Sequence, residues 1–121
     1  MINRIPSYCC DETLSSCVIA GDFIFLAHHS AGFESQNIVE QMRSVFDRLK
    51  CTLSSVGATL DDMVQVNLYL KDLSDFQAAT TVFGEYFDKK NAPVRTTIKT
   101  EFLDAECLCQ IDGIAYKRKQ K

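Results

Sequence analysis

Hydrophobic positions along this chain switch between a period of two and a period of 3.6, and the switches assign most of its elements. Residues 16–20 and 23–28 are short runs rich in β-formers. Between them stands Gly21-Asp22, a pair suited to the positive φ angles of a tight turn, which predicts a β-hairpin. After a loop at 30–34, Ile38, Val39, Met42, Val45, Phe46, Leu49, Leu53 and Val56 fall on one helical stripe. Ser35 is placed to cap this helix and Gly57 to end it at the C′ position, a length of about five turns. Residues 63–70 return to alternation, with Val64, Val66, Leu68 and Leu70 on one face and Asn67 and Tyr69 on the other. Ser74-Asp-Phe-Gln77 has the form of a capping box. It opens a shorter stripe of Phe76, Ala79, Val82, Phe83, Tyr86 and Phe87, ending at Lys89-Lys90, where cations suit a helix C-terminus. Pro93 breaks this helix, and strands are predicted at 94–101 and 107–116. Residues 1–15 carry no clear period and read as an irregular N-terminal arm.

The resulting order, ββαβαββ, predicts a single α+β domain over 1–121, a two-layer sandwich with both helices on one face of the sheet. On the last strand Leu108 and Ile114 alternate with Cys109, Ile111 and Gly113, so both sides read as apolar, which a solvated sheet face does not need. Burial against further copies of the chain, in a closed symmetric ring, accounts for the pattern.

Composition narrows the partners. Hydrophobic residues make up 46% of the chain and charged residues 24%, the balance of an ordinary globular protein. A net charge of −3 and a pI near 5.3 oppose a nucleic-acid binder that works by neutralising phosphates. The basic cluster of Lys117, Arg118, Lys119 and Lys121 reads as a solvated tail. No apolar run approaches the roughly 20 residues of a membrane span. The six cysteines sit largely inside apolar runs, and the N-terminus lacks a basic-then-apolar leader; together these predict reduced thiols in the cytoplasm rather than a disulfide scaffold. Cys9-Cys10 and Cys107-x-Cys109 lack the spacing with which two thiolates close on one tetrahedral ion, so no metal is expected. Cys107 and Cys109 read as small core residues.

Several stretches are more specific: Val56-Gly-Ala-Thr-Leu-Asp-Asp-Met-Val64, Val66-Asn-Leu-Tyr-Leu-Lys-Asp-Leu73 with Asp75-Phe76, Ala92-Pro-Val-Arg95, and Ile111-Asp-Gly-Ile-Ala115. With these the chain resembles the reactive-intermediate deaminases, the family also called Rid, YjgF or L-PSP endoribonuclease-like, from the hairpin at Gly21 to Ala115. The resemblance implies a chorismate-mutase-like fold, which the element order above matches. It also implies a homotrimer whose sheets line an inner β-barrel, with pockets for a small imino or keto acid between subunits. The implied reaction is hydrolysis of a 2-imino or 2-enamino acid, of the 2-iminobutanoate or 2-iminopropanoate kind, to a 2-keto acid and ammonia. A water attacks the electrophilic carbon, and no cofactor is called for.

In such proteins the arginine of a Pro-x-Arg turn grips the substrate carboxylate, and Arg95 stands at that place. A guanidinium suits the task because its planar fork of donors matches a carboxylate and keeps its charge when partly desolvated. The competing reading is a structural arginine paired with an acidic neighbour. Thr97, on the same strand face, sits where the family offers a backbone donor. The glutamate that polarises the attacking water is replaced here by Gln110, which holds a water but accepts no proton at neutral pH. General-base help is worth about 10²–10⁴ in rate, so the replacement predicts a slow enzyme unless another group substitutes. Asp112, ~7 Å along the same strand face, and His28, a residue type that titrates near neutrality, are the candidates; each also reads as a polar strand residue. His28 and His29 are strand neighbours and point to opposite faces, so at most one enters the pocket.

Other pocket positions depart from the family. Ala27-His28-His29 stands for Ser-Gly-Gln, Thr80 for an asparagine, and Leu14 for a tyrosine whose place Tyr8 would have to take. Two alternatives to the deaminase stay open. One is a trimeric binder of small carboxylates without useful turnover, which Gln110 favours; the other is an endoribonuclease, which the negative charge opposes.

Overall fold

The structure, a computed structural model, describes residues 1–7, 9 and 11–117; Tyr8, Cys10 and the basic tail beyond Lys117 lie outside them. Among the described residues, six strands and two helices follow in the order β1 (Ile2–Pro6), β2 (Ser15–Ala20), β3 (Phe23–Ser30), α1 (Ile38–Ser55), β4 (Met63–Leu70), α2 (Phe76–Tyr86), β5 (Val94–Lys99) and β6 (Cys109–Tyr116). The strands form one mixed sheet in the order β1-β2-β3-β6-β4-β5, antiparallel throughout except for β4 with β5.

This is the expected α+β order with one strand more than ββαβαββ. The addition, β1, lies inside the segment read as an irregular arm and pairs with β2 from Ile2↔Ala20 to Ile5↔Cys17. It is an edge strand with four of its five residues exposed, so ladder hydrogen bonds hold it and no hydrophobic period marks it.

The helix ends also differ from expectation. Asn37, not Ser35, caps α1: its carboxamide oxygen accepts from the N–H groups of Val39 and Glu40, while the Ser35 hydroxyl accepts from Asn37 N–H. Gly57, at φ 77°, takes the left-handed place expected of it. Instead of a capping box at Ser74, Asp72 accepts from Ser74 N–H and opens a short 3₁₀ turn over Leu73–Asp75 that leads into α2. α2 ends at Tyr86 rather than at the lysines. Asp88 accepts from the N–H groups of Lys90 and Asn91, and Asn91 returns its own oxygen to Asp88 N–H, a turn that competes with the helix.

One side of the sheet packs under the helices. Ile24, Leu26, Val66, Leu68, Leu70, Cys109, Ile111 and Ala115 join Met42, Val45, Phe46, Leu49 and Leu53 of α1 and Ala79, Val82 and Phe83 of α2 in one buried cluster. Phe46 locks the helices together, stacking on Tyr86 at 4.2 Å and meeting Phe83 edge-on at 5.1 Å. Val64 does not join the buried face of β4; the register slips between Met63 and Gln65, so Met63 is buried and Val64 is left exposed. Nearby, β6 crosses β4 so closely that a Cβ on Gly113 would stand 2.2 Å from the Gln65 carbonyl oxygen.

Among the described residues, the other side of the sheet carries no helix. β6 begins after Leu108 and shows Gln110, Asp112, Ile114 and Tyr116 on this side, so it is polar at one end rather than apolar along both faces. The apolar end is extended by β3, where Phe23 and Phe25 are each 44% exposed and Phe23 lies 5.3 Å from the Tyr116 ring.

Candidate functional site

Arg95 stands on the edge strand β5, directly after Ala92-Pro93-Val94. Its register partner is Val66 and that of Thr97 is Leu68, both buried under the helices, so Arg95 and Thr97 share one face, as their spacing predicts, and that face is the helix side. The guanidinium lies over the face of Phe83 at 4.8 Å and near that of Phe76 at 6.0 Å. Phe83 is itself braced by Phe46, so the cation rests on a fixed surface. Among the described residues the ion pairs are Arg43–Glu85 and Lys117–Asp62, and no carboxylate pairs with Arg95. A cleft of about 630 Å³ opens beside it, lined also by Thr80, Gly84, Phe87 and Lys89. Thr80 contributes a methyl-bearing wall there, since its hydroxyl donates back to Phe76 O at 3.0 Å.

A second cleft, of about 280 Å³, lies on the open side of the sheet. Gln110 and Asp112 of β6, Tyr69 of β4 and His28 of β3 line it, joined by Thr100, Glu101 and Phe102 beyond the end of β5. The register sets Tyr69 against Gln110 and Asn67 against Asp112. The Asp112 carboxylate accepts from Asn67 Nδ2 through one oxygen and from the Tyr69 hydroxyl through the other, both at 2.8 Å. Partial burial, and then the bond to Asp112, push the Tyr69 phenol above its ordinary value. Gln110 Nε2 donates to Cys107 Sγ at 3.7 Å. Cys107 and Cys109 are buried as expected, and burial pushes the Cys109 thiol up to about 12.

The two histidines part as the alternation predicts, though a bulge arranges it. Leu26 opposes Gly113 and His29 opposes Ile111, which leaves Ala27 and His28 together against Asp112. His28 is exposed and enters the open-side cleft, whereas His29 is 1% exposed on the helix side. His29 Nδ1 lies 2.7 Å from Ala27 O, which only accepts, so this nitrogen carries the proton. Nε2 then accepts from the Thr52 hydroxyl of α1 at 2.8 Å. Desolvation is the main cause that holds His29 below the ordinary imidazole value, in the neutral form. Ala27 thus brings its carbonyl to His29.

Arg95 and Gln110 therefore sit on opposite sides of the sheet, with β4 between their strands. The chain's sequence relationships identify the setting. The family described as Endoribonuclease L-PSP matches residues 11–117.

The chain belongs to this YjgF/Rid/L-PSP family.

Among its YjgF/Rid relatives, a RutC family protein of Pyrococcus abyssi is 34% identical over 109 residues, 85% of this chain and 85% of that one. The 2-iminobutanoate/2-iminopropanoate deaminase of Escherichia coli is 26% identical over 84 residues, 68% of this chain and 66% of the relative. A YjgF family structure from Streptococcus pyogenes superposes with a TM-score of 0.85 at 29% identity, covering 98% of each chain. Another from Neisseria meningitidis reaches 0.90 at 20% identity, over 99% of this chain and 98% of that one, a likeness of fold. The family's enzymatic members thus include imine deaminases, and this chain has the fold of the solved YjgF family structures.

Of the residues singled out from the sequence, Arg95, Thr97 and Thr80 gather around one cleft or strand face and His28, Gln110 and Asp112 around the other, while Ala27 lines neither cleft and Tyr8 lies outside the described residues. Sequence reasoning missed Asn67 and Tyr69 as the braces of Asp112, and Glu101 altogether. Alternation already put Asn67 and Tyr69 on one face; only the β4-β6 register shows what they hold.

Proposed function

We propose that this YjgF/Rid-family protein hydrolyses small 2-imino or 2-enamino acids to 2-keto acids and ammonia. One observation carries the reading: Arg95 is a cation without an acidic partner among the described residues, fixed over Phe83 at the mouth of a cleft. An arginine so held is prepared to receive a carboxylate in two parallel hydrogen bonds. The name of the Escherichia coli relative supports the same class of substrate.

A carboxylate on Arg95 lies on the far side of the sheet from Gln110 of the same chain, so the reacting site needs a second copy to supply the open-side cleft. We place three copies in a ring with their open faces turned inward as an inner β-barrel. Phe23, Phe25, Ile114 and Tyr116 supply the apolar surface that such an assembly buries. In that site Arg95 holds the carboxylate with help from the backbone at Thr97, and Thr80 of one copy and Ala27 of the next border the ligand. Gln110 holds the attacking water; His28 and Asp112 flank it. Addition of water to an activated C=N bond asks only for orientation and proton transfer, so the chemistry calls for no cofactor. No helix among the described residues is long and apolar enough to cross a membrane, and the described cysteines are free thiols, which fits a cytoplasmic site of action.

The test is ammonia release from freshly generated 2-iminopropanoate. Arg95→Ala removes charge-assisted bonds worth about 1.5–3 kcal/mol each, so kcat/KM is expected to fall about 10²-fold or more. An unchanged rate overturns the reading. Gln110 supports one alternative, a carboxylate binder of the same fold; tight pyruvate binding lost in Arg95→Ala, with no turnover in the unaltered protein, would establish it. The family name also invokes an endoribonuclease, but a chain of net charge −3 offers poor electrostatics for RNA.

A further inference from the structure

Hydrolysis of an imine needs a group that takes the proton of the attacking water, and Gln110 cannot do so. We propose that Glu101 is that group, an inference that rests on the deaminase reading above.

The open-side cleft holds two carboxylates, and their surroundings set them apart. Asp112 is tied on both oxygens, to Asn67 and Tyr69, and these bonds join β4 to β6. Among the described residues the Glu101 carboxylate has no hydrogen bond or ion pair, and the residue is exposed at the rim of the same cleft. Its segment is nonetheless held in place. Just before it, Thr100 N–H donates to Leu70 O at 2.9 Å. Beyond it, buried Gln41 donates to Glu106 O at 3.0 Å and accepts from Leu108 N–H at 2.9 Å, and Lys71 Nζ donates to Ala105 O at 2.6 Å. An uncommitted carboxylate on an anchored segment is free to meet a water without a large reordering cost.

Position along the sheet points the same way. Ile98, Tyr69 and Gln110 lie level across β5, β4 and β6, and Thr96, Asn67 and Asp112 lie level two residues earlier on β5. His28, in the bulge opposite Asp112, enters the cleft on one side of Gln110; Glu101, past the end of β5, enters on the other. A water held by Gln110 therefore has Glu101 at its outer side, where a substrate anchored on another copy's Arg95 would approach.

The step balances with one carboxylate. Water oxygen bonds to C2 of the protonated imine, the C=N π pair moves onto nitrogen, and the water's proton passes to Glu101. The acid then returns that proton to the amino nitrogen of the carbinolamine. As the C–N bond breaks with its electron pair leaving on ammonia, the hydroxyl O–H pair forms the C=O bond and its proton goes to Glu101, which passes it on to the released ammonia. The sum is iminium plus water giving 2-keto acid and ammonium.

Glu101→Gln keeps the shape and removes the base. Its kcat on 2-iminopropanoate is expected to fall about 10²-fold or more, with KM little changed. Gln110→Glu in the Glu101→Gln background should restore most of the loss by returning a carboxylate to the water. Unchanged kcat in Glu101→Gln overturns the assignment, and if Arg95→Ala still abolishes turnover the deaminase reading survives it. A loss that Gln110→Glu does not repair also overturns the assignment, since Glu101 then acts elsewhere. Absence of turnover in the unaltered protein overturns both.

Discussion

At the scale of single residues, the two adjacent histidines carry the clearest physical lesson. An extra residue in β3 lets His28 reach the open face while His29 is drawn under α1, bonded to Ala27 O and to Thr52. Because burial holds His29 below the 6.5 of a free imidazole, the folded chain takes up that proton less readily than the unfolded one. Its contribution to stability is complete above about pH 6.5 and is lost as the pH falls below that value toward the lowered folded one. The urea midpoint is expected to drop between about pH 7.5 and pH 5.5, and to drop less in His29→Leu, where the buried imidazole is gone. Equal drops in the two proteins would remove His29 from the explanation. Arg95 shows the complementary case, a charge set against an aromatic platform with no counter-ion among the described residues.

At the scale of elements, legibility followed burial. The α1 stripe from Met42 to Leu53 was readable because all of it faces the core. β1 was not, because an edge strand held by main-chain bonds needs no pattern of side chains. The helix ends depart from the sequence pattern where short polar residues compete for the same N–H groups, as with Ser35 against Asn37, and the Val64 slip has no local signal at all. The site divides in the same way. Arg95 stands in one family motif and Gln110 directly before another, so their places could be found; Glu101 reads as the end of a strand but lies past the end of β5, and its meeting with Gln110 depends on how β5, β4 and β6 line up. That alignment is tightest at Gly113, where the Gln65 carbonyl leaves no room for a methyl group. Gly113→Ala is expected to cost about 1–3 kcal/mol, toward the upper end because the obstacle is main chain, and thermal unfolding would register it. A melting temperature within error of the unaltered protein would mean that the strands part there without cost.

At the scale of the whole molecule, the sheet separates what the proposed reaction must bring together. On that proposal the carboxylate grip lies on the helix side and the water-handling cleft on the bare face, and one chain cannot turn both toward the same ligand. In the proposed ring of three, every site would be shared between neighbours, and damage to it would be heritable by halves. A subunit without Arg95 still lends an intact cleft to one neighbour, and a subunit without Glu101 still lends an intact arginine. Arg95→Ala and Glu101→Gln proteins, each strongly impaired alone, are expected to regain turnover when unfolded and refolded as a one-to-one mixture, with about a quarter of the sites whole if the copies assort at random in a closed ring. A mixture no more active than its components would place both residues in the same site of the same chain. Complementation between two broken copies is thus the signature the proposed ring would leave on a mixed population, and a cell carrying two different damaged alleles of such a chain would keep a working fraction of it.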